Sequence, residues 1–260
     1  MTDGMTHPGL ARRITAVWYR HYRVYTKSLL SNGIPPFLEP LIFLAGIGLG
    51  MGKYVTRMES LPYIVFLATG LPITAAMFTA AFECSFGTFI RLEFDHVYDG
   101  MLAAPITVND LLAGEILWAG SKGIFFSLAV ISVEALFGIV PMPLTLLSGF
   151  VGFLTGVMFA SISLFITSLV SSINQFNFYF TGFLSPMFFF SGVVFPLANL
   201  PPVLRPVAEI FPLTHSVRLA RALDLGNGTG QMAIDLLFIL AFTAVAGFFA
   251  FRRLKRRLIQ

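Results

Sequence analysis

Cysteine is nearly missing from this chain: Cys84 is the only one among 260 residues. A single thiol excludes an intrachain disulfide framework and a cysteine-rich metal centre. Its apolar surroundings suit a small buried hydrophobe. Histidine is scarce too, and His7, His21, His96 and His215 share no ligand spacing, so no metal site is expected. The His-Glu-x-x-His pair of an intramembrane metalloprotease does not occur, and every histidine falls outside the clear apolar runs, which argues against a serine protease built within them. Nor is there the cluster of polar residues at one edge that a membrane-embedded transferase would use. The stretch Gly46-Ile-Gly48-Leu-Gly50-Met-Gly52-Lys53 resembles a phosphate-binding loop but fails as one. Ile47 stands where the first glycine is required, and Tyr54 where a serine or threonine should follow the lysine. No catalytic residue is therefore assigned. The first thirty residues also lack the apolar core and small-residue cleavage site of a secretory leader.

Charge is thin, at 12% of residues, whereas 56% are hydrophobic and 29 are phenylalanine. One soluble core could not hide so much apolar surface, but lipid solvates it. Six zones are long enough to cross a bilayer: 36–52, 61–83, 111–138, 144–170, 176–195 and 232–251. The expected fold is an all-α polytopic membrane protein forming a single domain over 1–260. The link at Pro141-Met-Pro143 is very short, and residues 1–9 look frayed. Between the fifth and sixth zones, 196–230 carries five prolines among apolar residues and ends in Gly226-Asn-Gly-Thr-Gly230. Nothing there spans, so short interfacial or re-entrant helices are expected.

Ahead of the first span, residues 10–30 read as an amphipathic helix. Arg13, Arg20 and Lys27 stack on one edge, opposite an arc containing Ile14, Trp18, Tyr22, Tyr25 and Leu29. Such a helix is expected at the membrane interface, with its basic groups among headgroups. Placing both termini in the cytoplasm puts eleven Lys/Arg inside against five outside, in keeping with the positive-inside rule. The positive balance thus marks topology and lipid contact rather than nucleic acid.

Glu39, Glu83, Glu115, Lys122 and Glu134 lie in or near the apolar spans. A charge at mid-bilayer costs about 2.5–3.5 kcal/mol even on the lenient scale, so each needs a partner or a wet route. Glu115 and Lys122, two turns apart, are expected to reach different partners. No proton-relay series or internal repeat of the kind common in ion-coupled carriers is present.

Several stretches resemble the type-2 ABC exporter permeases, and within them the NodJ-type lipo-oligosaccharide export permeases: Glu39-Pro-Leu-Ile-Phe-Leu-Ala-Gly-Ile-Gly-Leu-Gly50, Phe82-Glu-Cys-Ser-Phe-Gly87, Tyr98-Asp-Gly-Met-Leu-Ala-Ala-Pro-Ile106, Phe190-Ser-Gly-Val-Val-Phe-Pro196 and Phe211-Pro-Leu-Thr-His215. The resemblance implies six spans, a cytosolic interface helix and a short helical insertion before the last span. It also implies pairing with a second copy and with two cytosolic ABC ATPase subunits, which use ATP and magnesium while this chain binds no cofactor. By the same likeness, 87–104 is a coupling loop or short charged helix presenting Arg91, Glu93, Asp95 and Asp99 to the ATPase. Glu39, Phe176, Tyr179, Phe180, Phe183 and Phe189 are candidates for the translocation route. Pro196, Pro201, Arg205, Glu209, Pro212, His215 and Arg218 are candidates for an outer gate. The implied activity is export of an amphiphile across a bacterial inner membrane. A drug or lipid exporter, an ion-coupled carrier and a non-transporting scaffold stand as alternatives.

Overall fold

The protein is described by a computed structural model covering all residues except 1–7, 53, 56, 59, 60, 140–144, 227–229 and 260, with backbone alone at 39, 40, 49 and 259. The links at 141–143 and 227–229 therefore lie outside the described residues, as does the side chain of Glu39. In chain order the helices are α1 (Leu10–Lys27), α2 (Leu29–Gly52), α3 (Tyr63–Phe94), α4 (Val97–Leu102), α5 (Val108–Leu136) and α6 (Thr145–Thr167). They continue as α7 (176–190), α8 (Arg205–Ile210), α9 (Pro212–Asp224) and α10 (Gly230–Ile259). A two-residue hairpin between α2 and α3 pairs Arg57 with Pro62 and Met58 with Leu61. The protein is otherwise helical among the described residues.

Five helices, α2, α3, α5, α6 and α10, are long and apolar enough to cross a membrane. The 176–195 zone behaves differently. Its helix stops at Phe190, because Gly192 turns the chain with φ +79°. At 1.5 Å per residue α7 is roughly 22 Å long, short of a ~30 Å hydrocarbon core. The second zone departs in the other direction. Hydropathy places this zone at 61–83, but α3 continues to Phe94 through two π-helical turns, Glu83–Gly87 and Ile90–Phe94. The polar residues there satisfy one another across the helix, so they do not end it.

The middle of the bundle is α3, α5 and α6, where small residues let backbones touch. A Cβ placed on Gly123 of α5 would lie 2.7 Å from the Gly152 carbonyl oxygen of α6. Helix α5 begins with a reciprocal cap: the Thr107 hydroxyl accepts from the Asp110 amide, and the Asp110 carboxylate accepts from the Thr107 amide at 2.8 Å. By contrast, α10 turns Ile234, Leu237, Leu240, Val245 and Phe248 outward, as a helix bathed in lipid would.

Helix α1 packs in step along the first half of α5. Arg13 meets Asp110, Val17 meets Gly114, His21 meets Glu115, and Tyr25 meets Trp118. Its line buried against the bundle is thus Val17 and His21, flanked by Trp18 and Tyr25. Tyr22 and Leu29 are exposed. The C-terminal end of α10 reaches the same end of the bundle. There the Arg257 guanidinium donates to the Thr167 and Val170 carbonyls and to Glu93. Both terminal helices therefore gather around the segment that joins α3 to α5.

Candidate functional site

Where α1, α3, α4 and α5 meet, the charged residues flagged in the apolar runs form one closed network. Glu83 binds Arg91 through Oε1 at 2.8 Å and Lys122 through Oε2 at 2.9 Å. Glu115 accepts from Arg91 at 2.8 Å through one oxygen and from the Tyr98 hydroxyl at 2.7 Å through the other. His21 brings its Nε2 to 2.8 Å from Glu115, and Arg13 its Nε to 3.1 Å from Asp110. Neither of these last two contacts is aligned as a hydrogen bond. Trp18 donates to Ser121 at 2.9 Å, and Trp118 packs against the Trp18, His21 and Tyr25 rings. The Lys122 ammonium lies 5.3 Å from the centre of the Tyr25 ring. Burial, and then Glu115, pushes the Tyr98 phenol well above its ordinary range, so it stays a donor.

As expected, Glu115 and Lys122 serve different partners. Two carboxylates against two fixed cations make the cluster neutral, which is how buried charge becomes tolerable. His21, Glu83 and Glu115 bring ligand atoms within 4.8 Å of one another. The residues present do not fit a metal, because Arg91 and Lys122 already neutralise both carboxylates at contact distance.

This geometry divides the four coupling candidates. Arg91 is committed to the interior of the network, and Glu93 binds Arg257 at 2.7 Å. Asp95 and Asp99 face outward, with His96 held left-handed between them at φ +49°. Among the interface-helix residues, Arg20 lines a cavity of about 360 Å³ beside Arg91 and Lys122. Lys27, at the end of α1, is exposed.

A ladder of rings joins α3 to α7. Phe82 meets Phe180 at 4.8 Å, Phe86 meets Phe176 at 5.0 Å, and Phe89 meets Phe176 at 5.6 Å. Phe176 and Tyr179 are buried in this packing, and the Tyr179 hydroxyl is 2.9 Å from that of Ser163. Phe183 stacks on Tyr179, and Phe189 is exposed. Of the aromatic route candidates, Phe180, Phe183 and Phe189 thus keep open surface, whereas Phe176 and Tyr179 are structural. The ladder straddles a π-helical turn in each helix, Glu83–Gly87 and Phe180–Leu184. Nearer the opposite end, Pro36, Phe43, Leu71, Phe78, Phe126 and Phe188 wall an apolar cavity of about 230 Å³.

At that opposite end, the prolines segment the chain as expected. Pro196 precedes a short turn, Pro201 another, and Pro212 opens α9. Arg205 donates to the Leu200 and Ala198 carbonyls. Arg218 clamps Asp235 at 2.6 Å and Glu209 at 2.8 Å, and His215 binds Asp235 at 2.8 Å and the Glu209 carbonyl at 2.9 Å. Hydrogen bonds that Arg218 donates to Asp235 and Glu209 hold its guanidinium firmly charged. Asp235 is the residue that sequence reasoning missed. It stands in the first turns of the last apolar run, so the rule that flagged Glu134 would have found it. Arg221 donates to Thr69, to the Phe66 carbonyl and to the Gly192 carbonyl, fastening α9 to α3. Its guanidinium lies 3.9 Å from the Phe66 ring centre.

Residues 12–225 match the sequence profile described as ABC-2 type transporter. Nodulation protein J of Sinorhizobium fredii is 35% identical over 245 residues, covering 94% of either chain. Nodulation protein J of Bradyrhizobium diazoefficiens is 32% identical along the full length of both, and that of Rhizobium meliloti is 33% identical over 94% of this chain and 93% of the relative. With its apolar helices and these relatives, the chain is a multi-pass inner-membrane, non-catalytic subunit that partners a separate ATPase, and it belongs to the ABC-2 type transporter family.

Proposed function

We propose that this chain forms the membrane half of an ATP-driven exporter for an amphiphile such as a lipo-oligosaccharide. In this reading two copies pair and each docks one cytosolic ATPase, which supplies the ATP and magnesium chemistry. Helix α7 acts as a sixth, shortened span. Both termini and the 95–104 segment lie on the cytoplasmic side.

The observation that carries this reading is the closed network of His21, Glu83, Arg91, Tyr98, Glu115 and Lys122. It ties the segment between α3 and α5 to α1 and to both long helices. A push on Asp95 and Asp99 by the ATPase would be transmitted through Arg91 to α5 and through Glu93 to Arg257 of α10. The displacement would reach α7 along the Phe82–Phe180 and Phe86–Phe176 contacts. Phe180, Phe183 and Phe189 would offer ring faces to acyl chains or sugar rings, and the α8–α9 region would close the far side. Nodulation protein J relatives of matching length support the saccharide-bearing class of substrate.

Reversing Asp95 and Asp99 to lysine tests the coupling role. In reconstituted vesicles holding the permease and its ATPase, export should fall at least tenfold while the complex assembles and ATP hydrolysis continues. Unchanged export would sink the assignment. Export by the purified chain without ATP would instead favour an ion-coupled carrier.

A further inference from the structure

The charged network leaves two ionic side chains over. The cavity of about 360 Å³ beside it is bounded by α1, the start of α2, α3 and α5, and Arg20, Tyr25, Asp95, Trp118 and Lys122 stand in its walls. Of the charges that line it, Arg91 and Lys122 are answered by Glu83 and Glu115 at 2.8 and 2.9 Å. His21 is turned to Glu115, at 2.8 Å. Arg20 and Asp95 are answered by nothing: no described residue pairs with either side chain. The wall thus carries one unengaged cation and one unengaged anion, and is otherwise balanced.

Each wall group specifies its complement. The Arg20 guanidinium is a fork of N–H donors that fits the oxygens of a phosphate. The Lys122 ammonium has three donors and gives one to Glu83 at 2.9 Å, which leaves donors to spare deeper in the cavity. The exposed Asp95 carboxylate only accepts, so it calls for an ammonium. Tyr25 and Trp118 supply the rings typical of a bilayer boundary. The Tyr25 hydroxyl donates to the Asn32 carbonyl at 2.7 Å and the Asn32 amide to the Tyr25 carbonyl at 2.8 Å, which fixes the turn from α1 into α2 at the cavity edge. Val24 and Ile90 line the cavity with exposed apolar surface, and Leu30 and Ile34, on either side of Asn32, are exposed as well.

A matching ligand needs a phosphate, an ammonium a few bonds away, and an apolar tail. A simple anion would leave Asp95 unpaired, and a dianionic phosphomonoester would be repelled by it. From this arrangement we infer that the cavity holds the headgroup of a zwitterionic phospholipid, a phosphoethanolamine diester, with its phosphate on Arg20, its ammonium on Asp95 and its chains along Val24 and Ile90. The bound headgroup bridges α1 to the end of α3, a link that Arg20 and Asp95 do not make directly. The assignment requires only that this end of the bundle meet a bilayer surface. It does not depend on the exported substrate or on the ATPase.

The test is native mass spectrometry of the permease–ATPase complex, stripped of lipid by detergent exchange and then offered equal amounts of phosphatidylethanolamine and phosphatidylglycerol in mixed micelles. The unaltered protein should retain one phosphatidylethanolamine per permease chain and several-fold less phosphatidylglycerol. Arg20→Gln should lower that retention about fivefold, the effect of one basic residue at a headgroup. Arg23→Gln, an exposed change on the same helix outside the cavity, should leave it as it was. Asp95→Asn should erase the preference between the two lipids. Equal losses from Arg20→Gln and Arg23→Gln would overturn the site, leaving only general attraction to a basic helix. Phosphatidylglycerol held as strongly as phosphatidylethanolamine by the unaltered protein would overturn the headgroup class. Soluble glycerophosphoethanolamine should not displace the lipid; displacement would show recognition of the free phosphodiester and overturn the lipid assignment. Because no ATP is added, the outcome is separate from the role of Asp95 in export.

Discussion

Replacing Glu115 with glutamine should be among the most damaging single-atom changes in this protein. Glu115 is fully buried and its two oxygens meet Arg91, Tyr98 and His21. Neutralising it leaves Arg91 and Lys122 to share Glu83 alone, so a balanced cluster becomes a buried net cation. Breaking a buried pair by removing one partner costs about 3–5 kcal/mol. At roughly 1.4 kcal/mol per tenfold, the folded-to-unfolded ratio should fall on the order of a hundred- to a thousandfold. Equilibrium unfolding of the purified protein by SDS in mixed micelles measures this directly. Adding Lys122→Met should recover part of the loss, because the cluster is neutral again, so the double variant should be more stable than the sum of the two singles by over 1 kcal/mol. A Glu115→Gln protein within about 1 kcal/mol of the original would refute the reasoning, since it would place the pair in the regime of exposed ion pairs. In vesicles the same variant should lose export more than ATP hydrolysis, because α1 and the 95–104 segment would no longer move together.

Three other changes follow the same logic. Gly123→Ala puts a methyl 2.7 Å from the Gly152 carbonyl oxygen, where backbone must yield, and should cost about 1–3 kcal/mol in the same unfolding assay. Asp235→Asn leaves Arg218 with Glu209 alone and weakens the His215 contact; limited proteolysis should then cut between α7 and α10 at least several-fold faster. Arg257→Ala removes donors from the Thr167 and Val170 carbonyls as well as the Glu93 contact. Because that site is partly exposed, stability should drop by only about 1–2 kcal/mol, while export declines more than the stability loss explains.

Much of the site was visible residue by residue yet not as a set. Glu83, Glu115 and Lys122 stood out because charge in an apolar run demands a reason. Their partners did not, since Arg91 and Tyr98 sit in an ordinary polar stretch and His21 in a basic helix. The end of α3 has the same root. Hydropathy ends the span at residue 83, but ion pairs folded back along the helix satisfy the polar groups beyond it and let the helix continue to Phe94. Periodicity in α1 gave a helix with two faces but could not show that His21 is buried beside Glu115, because that neighbour comes from α5.

The sequence by itself determined that this is a multi-spanning membrane protein, because span length is a local property of the chain. It also showed that the chain between the fifth and sixth zones is broken into short helices, since proline and glycine act within a residue or two. Only the tertiary structure decided that α7 stops at Phe190, that Arg91 looks inward while Asp95 and Asp99 look outward, and that Asp235 meets His215 and Arg218. Those outcomes depend on which helices become neighbours, and a charge's partner is fixed by distance through space, which linear spacing does not encode.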